Sequence, residues 1–321
     1  MITSASRKVL LVRAFQEAQR RLDGAKVLAA DVSRWSPALY EADEIVDLPR
    51  TDDPGFVESL VRACADERIG LVVPTRDEEL PVLAGARQRL ADDGTAVLVS
   101  PPAAVTTCRD KVMFAAAVEA AGLDTPRIFP TRDVPLPAFV KARIGAGGRG
   151  ATVVTTRDAL EAARAAILAT GNEPVVQEFI DGPEYTVDVF IDPDGRAISC
   201  VPRERVVVVA GESVVSRTVR DPGLRDAVLR LCAALGLMGH VTVQAFRSPA
   251  RMAFIEINPR YGGAAHLGFE AGAPTPEFAI RSARGERLEP RLDDYEADLV
   301  MLRYADDKFL RSSELGGEVS G

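Results

Sequence analysis

Through its first hundred residues the chain alternates short apolar runs with longer stretches in which apolar positions recur every three or four residues. "MITSA", "AKVLAADVS", "GLVVPT" and "TAVLVS" read as strands, and "RKVLLVRAFQEAQRRL", "DDPGFVESLVRACADERI" and "DEELPVLAGARQRLADDG" between them read as helices. In the first helix Leu11, Phe15, Ala18 and Leu22 follow one another at spacings of 4, 3 and 4, which puts them on one face. Strands alternating with helices predict a parallel sheet covered by helices, and nearly all-apolar strands fit a sheet buried on both sides. The first strand-to-helix turn, "TSASRK", lacks GxGxxG, so the dinucleotide fingerprint is missing.

Pro101-Pro102 closes this unit, and "AAVTTCRDKVMFAAAVEAAG" reads as one helix ended by a C-cap at Gly122. From Phe139 the texture changes. "AFVKARIG", "GATVVT", "EPVVQEFI", "EYTVDVFI", "AISCVPRERVVVVAG", "HVTVQAF" and "MAFIEIN" read as strands, most of them close enough to pair as antiparallel hairpins. Helices "RDALEAARAAILATG" and "DPGLRDAVLRLCAALG" interrupt them, and "SSELGGEVSG", from residue 312, reads as an unstructured tail. The fold class is α/β followed by α+β: a parallel N-terminal unit, then antiparallel sheets.

A chain of 321 residues is long for one core and divides into two or three units. Its 39 basic and 47 acidic residues give −8 with both signs interspersed, which argues against a nucleic-acid-binding face. No apolar run approaches the roughly 20 residues that cross a bilayer, and Met1–Ser6 leads into a charged helix rather than an apolar leader core. The expectation is a cytoplasmic protein with neither a membrane nor a nucleic acid as partner. Cys64, Cys108, Cys200 and Cys232 are far apart in apolar contexts and read as reduced core residues, while His240 and His266 give no zinc spacing with them.

"MAFIEINPRYGG", residues 252–263, places polar residues in an apolar strand. A period of two puts Phe254, Glu256 and Asn258 on one face and Ile255 and Ile257 on the other. A tight turn near Pro249–Arg251 would set Gln244 opposite Glu256, clustering three oxygen donors of the kind that suit Mg²⁺; capping of an edge strand is the other reading of the same polar pair. In "VKARIGAGGRGATVV", Gly145, Gly147, Gly148 and Gly150 would let backbone N–H groups approach phosphate, with Lys141 adding charge. A flexible hairpin with an exposed lysine fits that stretch equally well. In "VVQEFIDGPEYTV", Glu178, Phe179 and Ile180 could face a flat heterocycle and Glu184 a sugar hydroxyl, although a solvated turn is the plainer reading. Arg203 and Arg205 flank Glu204, so both point one way, either clamping a carboxylate or lying on an exposed strand face. His266, Arg217 and Arg220 are weaker substrate candidates. Thr75, Arg76 and Asp77 end a strand at the edge where open parallel sheets bind ligands.

Taken in order, Lys111, Lys141 with its glycine loop, Glu178 to Ile180, Glu184, then Gln244, Glu256 and Asn258 followed by Pro259-Arg260 resemble the ATP-grasp superfamily, in the branch of the carbamoyl-phosphate synthase large subunit. "EINPR" with its upstream glutamine is the most specific part. The resemblance implies a pre-ATP-grasp α/β domain over 1–105, a small ATP-grasp subdomain with the glycine-rich loop over 106–180, a large subdomain with the metal site over 181–311, and a tail over 312–321. It further implies that ATP lies between the two subdomains and that a carboxylate is activated as an acyl phosphate before a nucleophile displaces the phosphate. Lys111, Lys141 and the loop Gly145, Gly147, Gly148, Gly150 would then bind phosphates; Glu178, Phe179 and Ile180 adenine; and Glu184 the ribose. Gln244, Glu256 and Asn258 would hold one or two Mg²⁺, with Mn²⁺ as a substitute. Arg260 would lie beside the transferring phosphoryl group, making it, with Lys141 and Asn258, the catalytic expectation. Arg203, Arg205, His266 and Asp77 remain the substrate candidates.

A full carbamoyl-phosphate synthase large subunit carries two such ATP units, and this chain has room for one. Biotin carboxylases add a C-terminal domain for which too short a stretch follows Asn258. The expectation is a stand-alone ligase joining a small carboxylic acid, an amino acid first of all, to an amine, and the resemblance allows a homodimer. Two alternatives stand beside it: a kinase of bicarbonate or carbamate working with a partner subunit, and a nucleotide-binding scaffold without catalysis.

Overall fold

The computed structural model describes residues 1–130, 133–145 and 150–315. The first unit runs β1 (Ile2–Thr3), α1 (Val9–Leu22), β2 (Leu28–Ala30), β3 (Glu44–Val46), α2 (Phe56–Asp66), β4 (Leu71–Pro74), α3 (Leu80–Asp92) and β5 (Ala96–Val97). Its strands form one parallel sheet in the order β3-β2-β1-β4-β5. On α1 the predicted stripe is buried at Leu11, Phe15 and Ala18, with Leu22 packed at its margin. Leu60 and Cys64 of α2 pack with Leu83 and Leu90 of α3 in a second cluster. The periodic pattern does not reveal β3, because it is only three residues long and Glu44 and Ile45 face outward.

The stretch expected to be one helix is two, α4 (Pro102–Arg109) and α5 (Lys111–Ala120). Asp110 breaks it: its backbone is extended (φ −92°, ψ 112°), and its carboxylate accepts from the amides of Val112 (2.9 Å) and Met113 (3.1 Å). A local cap thus replaces helix continuation, as short acidic side chains favour. Gly122 ends α5 as expected, at φ +70° with its amide on Glu119 O.

Next, β6 (Ala138–Ala142), β7 (Thr152–Val154), α6 (Arg157–Ala169) and β8 (Pro174–Glu178) make a three-stranded antiparallel sheet, β7-β6-β8, with α6 packed on it through Leu160 and Ile167. The remaining elements are β9 (Glu184–Ile191), β10 (Ala197–Val209), β11 (Glu212–Thr218), α7 (Pro222–Ala234), β12 (Gly239–Arg247), β13 (Met252–Asn258), α8 (His266–Glu270), α9 (Thr275–Ala283) and β14 (Val300–Leu302). Their strands form a six-stranded antiparallel sheet, β13-β12-β9-β10-β11-β14. The hydrophobic pattern missed β11 and β14, one because "ESVVSRT" buries Ser213, Ser216 and Thr218 instead of apolar groups, the other because it is a three-residue edge. Ser312–Glu314 form a short 3₁₀ turn where the tail was expected to begin unstructured.

One face of the large sheet is apolar and seats α7: Val187, Val189, Val241, Val243 and Ile257 meet Leu224, Val228 and Leu231. Phe254 lies in this same cluster, against the expectation that it shares a face with Glu256 and Asn258. Gln244 pairs with Glu256 and Ala245 with Phe254, so Ile255 is an extra residue on β13. That β-bulge resets the alternation. All four cysteines are free and buried, and no helix among the described residues is long and apolar enough to cross a membrane. Phe254 is wholly enclosed, and Phe254→Ala is expected to cost about 3–5 kcal/mol in urea unfolding, the range for emptying a well-packed aromatic site. A loss below about 1 kcal/mol would mean that the bulge does not hold this ring in the core.

Candidate functional site

The face of the large sheet opposite α7 is polar. Cross-strand register carries Glu256, Gln244, Thr186 and Arg203 into one row, and Asn258, Thr242 and Asp188 into the next. The expected pairing of Gln244 with Glu256 is present. Asn258 Nδ2 donates to Glu256 Oε1 (3.0 Å) and to Gln244 Oε1 (3.3 Å), so the three candidate metal ligands form one hydrogen-bonded cluster. Among the described residues no group of three or more His, Cys, Asp or Glu side chains could hold a metal. The cluster instead supplies one carboxylate and two amide oxygens, hard donors that suit Mg²⁺.

Two lysines face Glu256. Lys111 occupies the first turn of α5, set there by the break at Asp110, and its Nζ lies 3.6 Å from Glu256 Oε2 while donating to Gly145 O (3.3 Å). Lys141 projects from β6, and Asp110 ties the two elements together: Arg143 Nε donates to its carboxylate (2.9 Å), and the Lys111 amide donates to Arg143 O (3.0 Å). Burial lowers the Lys141 pKa to about 8, against the pull of Glu256 and with the repulsion of Lys111. Burial would raise the Glu256 pKa, but Lys111, Lys141, Asn258 and Arg260 together hold it below the ordinary value. The site is thus built as an anion between cations.

Arg260 joins this row to the first unit. Its Nε donates to Asp77 Oδ2 (3.1 Å), Nη2 to Asn258 Oδ1 (3.3 Å) and Nη1 to Tyr261 O (3.2 Å). Asp77, a substrate candidate from the sequence, holds this arginine. Arg203 and Arg205 do point the same way, but each already has an acid on β9. Arg203 is buried with Nε 2.8 Å from Asp188, which also accepts from Thr242 Oγ1 (3.1 Å) and lies 3.5 Å from His240 Nε2. Arg205 Nε lies 3.2 Å from Glu184, whose Oε1 also accepts from Gln244 Nε2 (2.7 Å). His240 stacks on Tyr261, centroids 4.1 Å apart, and is held below its ordinary pKa by burial. The pKa of His266 is lowered to about 4, by burial first and then by Arg303 and Arg203.

The remaining candidates are placed as follows. The Glu178 carboxylate is turned onto Arg251 (2.6 and 3.0 Å) and the Arg127 amide (3.2 Å) rather than left facing an open slot; Phe179 and Ile180 follow it, half-buried. Arg217 pairs with Glu204 (2.7 Å), and Arg220 stacks over Tyr295 (4.1 Å) while donating to Asp293 O and Tyr295 O, so neither belongs to this face. Gly145 and Gly150 bracket the glycine loop, Gly150 at φ +73° where glycine is favoured. Gly147 and Gly148 lie outside the described residues. Sequence reasoning passed over Asp110, Asp188 and Thr242. Asp188 carried a signal, since Glu184, Thr186 and Asp188 alternate through "EYTVDVF".

Residues 108–264 match the family described as "ATP-grasp domain", and residues 1–98 match the one described as "PylC-like, N-terminal domain". The chain thus carries an ATP-grasp domain preceded by a PylC-like N-terminal domain. Among curated relatives, the carbamoyl phosphate synthase large chain of Thermoplasma acidophilum is 25% identical over 280 residues, 79% of this chain but 27% of that protein. The chain thus spans about a quarter of the length of such relatives. Among solved structures, the biotin carboxylase domain of Hydrogenobacter thermophilus 2-oxoglutarate carboxylase, with MgADP and bicarbonate, superposes with a TM-score of 0.74 at 18% identity, over 93% of this chain and 72% of that one. L-amino acid ligase from Bacillus licheniformis gives 0.68 at 20% identity, over 88% and 73%. These structural likenesses show the fold.

Lys141 is expected to titrate near pH 8, and Glu256→Gln to lower that midpoint, because the carboxylate it removes favours the charged ammonium. NMR of selectively labelled lysine across pH 6 to 11 reads both. An unchanged or raised midpoint would separate the two residues.

Proposed function

We propose that this protein is an ATP- and Mg²⁺-dependent carboxylate–amine ligase that activates a small carboxylate as an acyl phosphate. The observation that carries the reading is Glu256, set between the amides of Gln244 and Asn258 and facing Lys111 at 3.6 Å, with Lys141 and Arg260 around it. An acid placed among fixed cations, beside hard oxygen donors, is suited to a polyphosphate chain with its metal. Gln244, Glu256 and Asn258 would hold Mg²⁺, which when bound neutralises charge between phosphate oxygens. Lys111 and Lys141 bind phosphate oxygens as point charges, and their closeness to one another stores repulsion that an anion relieves. Gly145 and Gly150 would bracket the phosphate-covering loop, and Glu184, on the same sheet face as Gln244, would contact the sugar. Arg260, pinned by Asp77, presents a guanidinium to the phosphoryl group as negative charge develops.

The first step needs no general base, because attack by a carboxylate on phosphorus, with ADP leaving, needs alignment and charge neutralisation rather than proton removal; in the second the amine attacks as its neutral form and gives up a proton as phosphate leaves. The small subdomain would run over 106–180 and the large one over 181–311, with the nucleotide between. Support for the ligase class comes from the ATP-grasp family match and from the shared fold of an L-amino acid ligase.

The test is ADP and phosphate release with ATP and Mg²⁺, against amino acids and small carboxylates offered singly and in pairs with amines. Release that depends on one acid and rises with one amine is expected, and Glu256→Gln should lower it at least about 100-fold while leaving the melting temperature near wild type. Stimulation by bicarbonate alone would move the assignment to carboxy-phosphate chemistry. Nucleotide binding without turnover under every pairing would make the protein a scaffold.

A further inference from the structure

Every side-chain oxygen of the Glu256 cluster has a nitrogen opposite it. Glu256 Oε1 accepts from Asn258 Nδ2 (3.0 Å), and Oε2 faces Lys111 Nζ at 3.6 Å. Gln244 Oε1 accepts from the same Asn258 amide (3.3 Å), and Asn258 Oδ1 accepts from Arg260 Nη2 (3.3 Å). Charged neighbours fix both amide orientations. Gln244 Nε2 donates to Glu184 Oε1 (2.7 Å), which turns its oxygen toward Asn258. Asn258 must present oxygen to a guanidinium and nitrogen to a carboxylate, so neither amide can be flipped without setting like against like.

Charge points the same way. The neighbouring acids are matched by arginines: Glu184 lies 3.2 Å from Arg205 Nε, Asp188 accepts from Arg203 Nε (2.8 Å), and Asp77 from Arg260 Nε (3.1 Å). Asp110, which precedes Lys111, accepts from Arg143 and from two amides of α5. Glu256 is left to two buried lysines, Lys111 and Lys141. A divalent cation entering the cluster would therefore lie beside the Lys111 ammonium, whose side chain is only 9% exposed, so water screens little of the repulsion. The same Nζ donates to Gly145 O (3.3 Å), so the ammonium stands between the carboxylate and the start of the glycine loop.

We propose that Lys111 is a built-in rival of the metal for Glu256, so that the cluster accepts a divalent cation only together with a polyphosphate that draws the ammonium to itself. This rests on the nucleotide-and-metal reading of the site and adds the order in which its ligands enter. A polyphosphate offers Lys111 a partner of higher charge than one carboxylate, and frees Glu256 Oε2 for the metal. The coupling is reciprocal: nucleotide raises the affinity for metal by the factor by which metal raises the affinity for nucleotide. A cluster filled by metal and water alone is thereby disfavoured, and the cation arrives with the phosphates it must bridge.

Titration of the full chain with Mn²⁺ alone, followed by the electron paramagnetic resonance of the free ion, tests this without any turnover. Lys111→Met removes the charge at similar length, and Lys111→Arg keeps it. Wild type and Lys111→Arg are expected to bind Mn²⁺ equally weakly, and Lys111→Met to bind it about tenfold or more tightly than either. Adding Glu256→Gln to Lys111→Met should abolish that gain. Should Lys111→Met fail to fold, Lys111→Gln carries the same comparison. Unchanged or weaker Mn²⁺ binding in Lys111→Met would overturn the inference, as would equal tightening in Lys111→Arg or a gain that survives Glu256→Gln. In calorimetry the wild type is expected to bind a non-hydrolysable ATP analogue about tenfold or more tightly with Mg²⁺ than with a chelator. Absence of analogue binding would instead remove the ligase reading, while the Mn²⁺ titrations without nucleotide still decide the role of Lys111.

Discussion

An ionic side chain taken out of water must find a partner of opposite sign, and the polar face of the six-stranded sheet is organised by that requirement. Arg203 finds Asp188, Arg205 finds Glu184, Arg260 finds Asp77, and Glu256 faces Lys111. Each pair spans two strands or two domains, so satisfying the charges also fixes the relative placement of the elements that carry them. The hydrophobic face with α7 supplies the driving force, and the polar face supplies the geometry. At one point of this face Asp188 gathers Arg203, Thr242 and His240 around a single carboxylate. Around Glu256 the cations Lys111, Lys141 and Arg260 outnumber the acid they surround.

Two local departures from regular structure put the functional groups where they are. The bulge at Ile255 lets β13 send Phe254 and Ile257 to the core while Glu256 and Asn258 go to the polar face. Without the extra residue the same sequence would have to bury a carboxylate or expose a phenyl ring. The break at Asp110 does the corresponding work for a helix, placing Lys111 at a fresh helix start and binding it to the strand that carries Lys141. Irregularities of this kind cost regular hydrogen bonds and are retained where they re-aim a side chain.

Those departures also mark how far the sequence could be read. The alternating strands and helices, and the pairing of Gln244 with Glu256, were legible because periodicity and short turns constrain them directly. Phe254 was placed on the wrong face because a period-two rule has no term for a bulge. Asp110 was read through as helix because the apolar stripe continues on both sides of it. Asp77 and Arg260 were each singled out, yet their pairing was not, since no local pattern announces a contact between residues so distant in the chain. Glu178 stood in a motif, while its pairing with Arg251 depends on how two sheets meet.

The bond between Asp77 and Arg260 has a consequence for the birth of the molecule. The two residues are separated by 183 positions, and the segment that carries Asp77 leaves the ribosome first. Arg260 emerges only after most of the chain is made, so the guanidinium is oriented in the last stage of folding. A chain that ends before Arg260 therefore leaves Asp77 without this partner, and the two halves of the molecule are not yet joined at that point.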